Sequence, residues 1–480
     1  MMLTKIIRPP SSRSLSLEYI GNMTNKIFNE ALIAKYDKAG PRYTSYPTAV
    51  QFTDEFGNKE YIEAAKASNE RLNPLSLYFH IPFCATICFY CGCNKIITKN
   101  RKRSEPYLER LFKEMEMQGA LFSNRAPAKQ LHWGGGTPTF LSHDEMRALM
   151  DKTREEFNLL PNDEAEVSIE VDPREANADT VRFLRSIGFN RLSMGVQDFD
   201  DKVQLAVNRI QPKEITIETL TAARECGFNS ISIDLIYGLP FQTVETFDRT
   251  LDDIIALSPD RLSVFNYAHM PHLFKTQKQM NAADMPSPQE KLLILKLVIE
   301  RLTDAGYVYI GMDHFAKPTD QLAIAQQEGL LYRNFQGYST HADCDVVGMG
   351  VSSISQIGDI YSQNAKTMPQ YEERIDSGQL AIMRGVKLTR DDVIRRHVIT
   401  EIMCNLKLDL DQVSRDFNID AREYFKADLP ELEAMQDDGL IIVDKDKYYV
   451  QDAGRLLIRN IGMVFDAYLQ KNDNRFSRVI

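Results

Sequence analysis

Seven cysteines occur in the 480-residue chain, and four of them crowd together as Cys84, Cys88, Cys91 and Cys93. A secreted disulfide framework would spread an even number over a short chain. An odd number with one tight cluster points instead to a reducing compartment and a metal centre. The core is Cys84-x3-Cys88-x2-Cys91, three thiolates on one loop able to wrap around a single centre. A structural zinc site wants four tetrahedral ligands, often as two separated pairs. No second pair exists here, and His80 falls inside a strand-like run. A cubane iron–sulfur cluster is usually held by four cysteines. Held by three, it keeps one iron open, as a catalytic metal keeps an open position. Ligand counting therefore favours a [4Fe–4S] cluster on Cys84, Cys88 and Cys91, with Cys93 outside it.

Such a loop needs a rigid frame. Strand-like segments rich in Val, Ile, Leu and aromatics fall at Leu75–Phe83, Gln130–Gly134, Glu166–Val171, Arg191–Val196, Ser230–Tyr237, Arg261–Tyr267 and Tyr307–Met312. Between them lie amphipathic stretches of helical length, Tyr107–Gln118, Asp144–Phe157, Ala178–Ile187 and Lys213–Cys226. Helix-linked strands pair in parallel. The fold class is α/β, a partial or full parallel β/α barrel over residues 75–377. Chemistry in such a fold sits at the C-terminal strand ends. Polar groups cluster there: Gly135-Gly136-Thr137, Glu170 with Asp172, Gln197 with Asp198, Asp234, and Tyr267-Ala268-His269. Any one of them reads as a cap or turn residue; five strand ends in register read as a site.

Residues 23–74 form a pre-barrel segment expected to pack near the site. From about 378 to 480 the pattern turns mainly helical (Arg390–Asn405, Leu410–Phe417, Leu429–Asp437). It ends in a small hairpin from Gly439-Leu440-Ile441-Ile442-Val443 to Tyr448-Tyr449-Val450. This resembles a winged-helix module. The chain carries 57 Lys plus Arg against 67 Asp plus Glu, a net charge of −10, which favours a lid or packing role over nucleic-acid binding. The longest apolar run, near Leu292 to Ile299, is broken by Lys296, so no membrane span is expected. Residues 1–22 contain Pro9-Pro10 and no secretory apolar core. They read as a disordered leader, with a transit-like segment as the alternative.

The Cys84-x3-Cys88-x2-Cys91 loop after the first strand resembles the radical S-adenosylmethionine superfamily, and Trp133-Gly134-Gly135-Gly136-Thr137-Pro138 its glycine-rich second-strand motif. Within that superfamily the sequence resembles the oxygen-independent coproporphyrinogen III oxidases. The resemblance is carried by Tyr78-Phe79-His80-Ile81-Pro82-Phe83-Cys84, Cys91-Gly92-Cys93-Asn94, Glu170-Val171-Asp172-Pro173-Arg174-Glu175 and Asn190 to Gln197. It continues through Asp234 to Pro240, Phe265 to His269, Gly40 to Thr48 and Phe476 to Ile480, covering roughly residues 30–480. A haem-chaperone branch shares the barrel and the three-cysteine loop. It generally lacks the fourth cysteine and the Arg42–Pro47 segment, both present here.

The resemblance implies an enzyme that oxidatively decarboxylates the ring A and B propionates of coproporphyrinogen III to vinyl groups. Two S-adenosylmethionine molecules are used, one chelated by the open iron and cleaved to 5′-deoxyadenosine and methionine. It implies that Tyr78, Tyr90, Gly135, Gly136, Thr137, Glu170, Gln197, Arg209, Asp234, Ala268 and Ile354 bind S-adenosylmethionine. Gly135-Gly136-Thr137 would take the ammonium, Arg209 the carboxylate, Glu170, Gln197 and Asp234 the ribose hydroxyls or ammonium, and Ala268 and Ile354 the adenine. It further implies an electron donor such as flavodoxin or ferredoxin, a monomer and a cytoplasmic location. The anionic substrate needs a basic pocket, for which Arg42, Lys95 and Arg333 are candidates.

Overall fold

Six strands separated by helices follow one another from the middle of the chain: β1 (Leu75–Ile81), β2 (Pro127–Gly135), β3 (Glu166–Val171), β4 (Arg191–Gln197), β5 (Ser230–Tyr237) and β6 (Arg261–Asn266). They pair in parallel in chain order. The computed structural model describes residues 27–122 and 126–469. The expected leader at 1–22 and the Phe476–Ile480 motif lie outside the described residues. Two of the helices that follow strands start at clear sequence signals. Ser142 caps His143–Glu156 in a reciprocal box with Glu145, and Ser287 with Pro288 opens Pro288–Asp304.

The strand expected at Tyr307–Met312 forms, but it does not lie directly beside β6. Its residues form β7 (Val308–Gly311), which turns straight back into β8 (His314–Ala316). β8 then pairs antiparallel with β6. Two residues between strands leave no room for the crossover that parallel pairing requires. A short hairpin follows, β9 (Tyr332–Asn334) and β10 (Gly337–Ser339). The other edge is extended by β11 (Asp345–Met349), parallel to β1, and by the antiparallel strands β12 (Ile354–Ile357), β13 (Ile360–Asn364) and β14 (Ile382–Lys387). The result is a partial parallel β/α barrel with antiparallel margins. Its sheet continues to Lys387, beyond the boundary expected at 378.

Alternation along the strands divides dry from wet. In β5, Ile231, Ile233 and Leu235 are buried against the helices, whereas Ser232, Asp234 and Ile236 are only half-buried on the inner face. β4 repeats the pattern, with Leu192, Met194 and Val196 outward and Ser193, Gly195 and Gln197 inward. The barrel interior is thus a partly open, polar lumen.

A second apolar core joins the C-terminal module to the pre-barrel segment. Ile394, Val398, Ile402, Leu432, Ile461 and Phe465 pack with Tyr36, Tyr43 and Tyr46. Arg459 donates to the Gly40 and Pro41 carbonyls, and Asn460 to the Tyr36 carbonyl at 2.8 Å. The helices Arg390–Asn405, Leu410–Phe417 and Leu429–Asp437 form as the sequence predicts. The expected hairpin forms as Ile441–Asp444 and Lys447–Val450, with Lys407–Asp409 as a third strand. No helix among the described residues is long and apolar enough to cross a membrane.

One buried carboxylate ties the first crossover helix (Glu105–Gly119) to the β11–β13 margin. Glu114 accepts from the Gly350 amide at 2.8 Å, the Asn364 amide nitrogen at 2.7 Å and the Tyr371 hydroxyl at 2.7 Å. Burial raises its pKa, and the three donors offset that cost. Glu114→Ala strands all three donors and is expected to cost about 4 kcal/mol. Tyr371→Phe removes one and is expected to cost about 1 kcal/mol. Urea unfolding midpoints of the two variants against the parent check the order.

Candidate active site

The cysteine loop leaves β1 at its C-terminal end. A two-residue parallel contact, Phe83 with Ile96 and Cys84 with Ile97, closes the loop at its base. Further bonds set its shape: the Phe89 amide donates to the Val207 carbonyl at 3.0 Å, and the Asn208 side chain to the Ile87 carbonyl at 2.7 Å. Lys95 donates to the Cys91 carbonyl at 2.8 Å and to the Cys93 carbonyl at 3.4 Å. Lys95 therefore caps the loop and is not a free substrate contact.

Each thiol has a polar neighbour. Cys84 Sγ lies 3.5 Å from Thr137 Oγ1. Cys88 Sγ receives Arg174 Nη2 at 3.5 Å and Arg209 Nη1 at 3.6 Å. Tyr90 also hydrogen-bonds Cys88. Asp172 accepts from Arg174 at 2.7 Å and from Arg209 at 3.0 Å through the same oxygen. Burial opposes ionisation there, yet the two guanidinium groups hold Asp172 below the usual carboxylate range. Arg209 also donates to the Gly195 carbonyl at 2.5 Å. Its Nε is buried without a partner. Asp172 is one of the strand-end polar groups the sequence places at the site, and Arg174, two residues on, joins it there. Their signal was an Asp-Pro-Arg placed where β3 ends.

The thiols fit an iron–sulfur cluster better than a single ion. Burial pushes the Cys84 thiol up to about 11, so its thiolate form needs a cationic centre beside it. Cys91 is shifted down by its hydrogen bond with Cys93, with Lys95 assisting against burial. Among the described residues, the only His, Cys, Asp or Glu trio whose ligand atoms all lie within 4.8 Å of one another is His341, Asp343 and Cys344. The three loop thiols do not form such a group, in keeping with a multi-iron centre. The His341 trio precedes β11, at the opposite end of the barrel. There Lys129 already neutralises Asp343 at 2.6 Å.

The glycine-rich turn closes over the loop's origin. The Gly136 amide donates to the Ile81 carbonyl at 2.8 Å, and that of Thr137 to the Phe83 carbonyl at 2.9 Å. A Cβ on Gly136 would lie 2.8 Å from the Phe83 and Pro82 carbonyl oxygens, so no side chain fits. Gly135 has φ +118°, open to glycine alone. Its amide donates to Glu170 at 3.1 Å. Glu170 also faces His132 Nε2 at 3.5 Å. Burial raises it, but His132 and the Gly135 amide bring it below the ordinary value. Tyr78 stacks on His132 with ring centroids 5.8 Å apart and hydrogen-bonds His80 Nδ1 at 3.0 Å.

Gln197 sits at φ +71° at the end of β4, its Oε1 buried without a partner. Asp234 accepts from Ser193 at 3.3 Å, and burial pushes it up to about 6. Tyr78, Tyr90, Gly135, Gly136, Thr137, Glu170, Gln197, Arg209 and Asp234 all border the lumen mouth around the loop. The remaining two lie apart. Ala268 follows β6, in a loop whose Tyr267 amide bonds the Tyr237 carbonyl. Ile354 opens β12 and packs against the cluster of Phe52, Tyr361 and Leu388. In strand order they stand on opposite margins of the parallel sheet.

Known proteins share this arrangement. Residues 78–254 match the radical SAM superfamily, and residues 388–457 match the HemN C-terminal domain. An oxygen-independent coproporphyrinogen III oxidase of Pseudomonas aeruginosa is 54% identical over 450 residues, 94% of this chain and 98% of its own length. The protein of that name from Escherichia coli K12 is 52% identical over 452 residues, with the same shares covered. The solved structure of the Escherichia coli coproporphyrinogen III oxidase, described as a radical SAM enzyme, superposes with a TM-score of 0.88 at 50% identity. It covers 92% of this chain and 100% of that one. With a cluster-binding loop, a fitted glycine turn and relatives matched over nearly their whole length, the chain belongs to the oxygen-independent coproporphyrinogen III oxidase family of radical SAM enzymes.

Proposed function

We propose that this protein oxidatively decarboxylates the ring A and B propionates of coproporphyrinogen III to vinyl groups, giving protoporphyrinogen IX in haem biosynthesis. The observation that carries this reading is the three-thiol loop opening onto a polar lumen, in a chain matched over 94% of its length by enzymes of that name. A [4Fe–4S] cluster and S-adenosylmethionine supply, when bound, the electron and the hydrogen-abstracting power of the reaction.

Cys84, Cys88 and Cys91 would hold the cluster. Arg174 and Arg209, fixed by Asp172, would orient the Cys88 thiolate and balance its charge. The bare Gly135-Gly136 backbone lets an amino-acid group come close. Glu170, the unpartnered Gln197 Oε1 and Asp234 offer acceptors to an ammonium or to ribose hydroxyls. With Tyr78 and Tyr90 they would form the binding set for S-adenosylmethionine. Ala268 and Ile354, standing on opposite margins, support two such molecules. The pre-barrel segment and the C-terminal module, fused through Arg459 and the shared core, would cover the lumen mouth and keep water and oxygen out. We divide the chain at 23–74, a barrel from 75, and a C-terminal module beginning near Leu388. The protein would work as a cytoplasmic monomer and take electrons from a flavodoxin or ferredoxin.

Anaerobic incubation of reconstituted protein with reductant, S-adenosylmethionine and coproporphyrinogen III should yield protoporphyrinogen IX and 5′-deoxyadenosine. Absence of the tetrapyrrole product would overturn the reading. Serine at Cys84, Cys88 or Cys91 should each abolish iron and sulfide binding, whereas Cys93→Ser should retain about four irons per chain. Equal loss of iron in Cys93→Ser would place Cys93 among the ligands. A second prediction concerns pH. Asp234 titrates near 6, and below that it is neutral and loses acceptor capacity. The KM for S-adenosylmethionine should therefore rise as pH falls through 6, by up to about tenfold per unit. In Asp234→Asn that rise should vanish, with KM high throughout.

A further inference from the structure

Between the barrel and the C-terminal module lies a group of buried polar atoms without hydrogen-bond partners. Arg333, on β9, is 8% exposed, and its Nε and Nη1 have no hydrogen-bond partner. Its guanidinium lies over the Tyr338 ring, 4.7 Å from the centroid. The Tyr338 hydroxyl is also buried without a partner, as is His314 Nδ1. The His314 and Tyr338 rings meet edge to face at 5.1 Å. Burial, then the charges of Arg333, Arg42 and Arg261, push His314 well below the usual imidazole range, leaving it neutral.

The neighbouring cations each have a partner, although Arg261 Nη2 and Arg455 Nε stay unpartnered. Arg42 pairs with Asp313, Arg261 with Asp320 at 2.9 Å, and Arg455 bonds the Tyr309 carbonyl at 2.7 Å. Arg333 alone among these keeps two guanidinium nitrogens unpartnered. An unpaired buried cation with adjacent unpaired hydroxyl and imidazole groups costs several kcal/mol unless an anion completes it. The position suits the lumen. His314 is the register partner of Ser263, which is the partner of Asp234. Adjacent strands lie about 4.8 Å apart, so His314 stands about 10 Å along the sheet from Asp234. A small cavity of about 10 Å³, room for one water, lies alongside, lined by Tyr43, Ser45, Tyr332, Arg333, Tyr361 and Arg396.

We infer that Arg333, with Tyr338 and His314, is the anchor for a substrate carboxylate. It would grip a propionate that the reaction leaves intact and so set which ring faces the cofactor. This rests on the proposed activity. Of the three cations suggested by sequence, the geometry selects Arg333, since Lys95 caps the cysteine loop and Arg42 is paired with Asp313. The guanidinium fork suits a planar carboxylate, and the tyrosine hydroxyl supplies a third donor.

The test uses reconstituted full-length protein with coproporphyrinogen III, with iron content as the control for folding. Arg333→Met should raise the substrate KM at least tenfold, and Arg333→Lys should recover part of that loss. Tyr338→Phe, which deletes only an oxygen, should raise KM about three- to tenfold; it carries the test if Arg333→Met fails to hold iron. Titration with coproporphyrin III should show the same order in Kd, and its tetramethyl ester should bind parent and Arg333→Met alike. Parent protein that makes no vinyl product overturns the activity itself. Parent turnover alongside unchanged KM and Kd in iron-replete Arg333→Met or Tyr338→Phe overturns the anchor alone.

Discussion

The barrel strands must keep one face dry and the other wet, and the rest of the molecule depends on that division. Outward residues such as Leu77, Phe79, Leu131, Ile169 and Ile233 are fully buried under the crossover helices. Each such side chain contributes about 1.5–3 kcal/mol through burial. This dry layer fixes register, because a slip of one residue would turn every side chain to the other face. With register fixed, Tyr78, His132, Glu170, Ser193 and Asp234 are delivered inward without any apolar neighbour demanding their place. A closed eight-stranded barrel would fill its interior with side chains. Here the series of parallel strands stops at β6 and the margins turn antiparallel, so the polar interior stays partly open.

Charge is handled locally within that lumen. The chain is acidic overall, with net charge −10, yet the cluster loop and the β9 hairpin both sit beside arginines. Around the loop, Asp172 neutralises part of Arg174 and Arg209 and fixes where their remaining donors point. Near β9 no carboxylate meets the free nitrogens of Arg333. Both are buried arginine environments; at the loop a carboxylate joins the two guanidinium groups and only Arg209 Nε is left over, whereas Arg333 has no carboxylate and two nitrogens left over. Completed networks hold geometry, whereas incomplete ones mark where a ligand supplies the missing group.

Most of the barrel was legible in the sequence because alternation and helix caps are local signals. The strands Glu166–Val171 and Ser230–Tyr237 and the helix Arg390–Asn405 fall where periodicity puts them. The strand expected at Tyr307–Met312 forms where its apolar content puts it, but its neighbour is set by the two-residue turn at Met312-Asp313, which folds β8 in between β7 and β6 and which no hydrophobic pattern reports. The cysteine loop was legible from spacing alone. The Asp172–Arg174–Arg209 fork was not, since its members lie 37 residues apart and meet through strand order.

Lys95, Arg42 and Arg333 show why sequence nominates but seldom ranks. All three are cations near recognisable motifs, and composition treats them alike. Distance to the cysteines along the chain would favour Lys95, whereas the fold gives its ammonium to two loop carbonyls. Arg42 reaches the interior from a segment pinned by Arg459, but Asp313 meets it there. Arg333 is the farthest from the cysteines in sequence and the one whose donors stay unsatisfied. A buried guanidinium stacked on the Tyr338 ring cannot relax toward a distant acceptor. Its free nitrogens therefore define a fixed place and a fixed orientation for an anion. An enzyme that must present one propionate of four to a reactive centre needs such a fixed reference point. A mobile surface lysine, with four rotatable carbons, could attract the substrate but could not set its rotation.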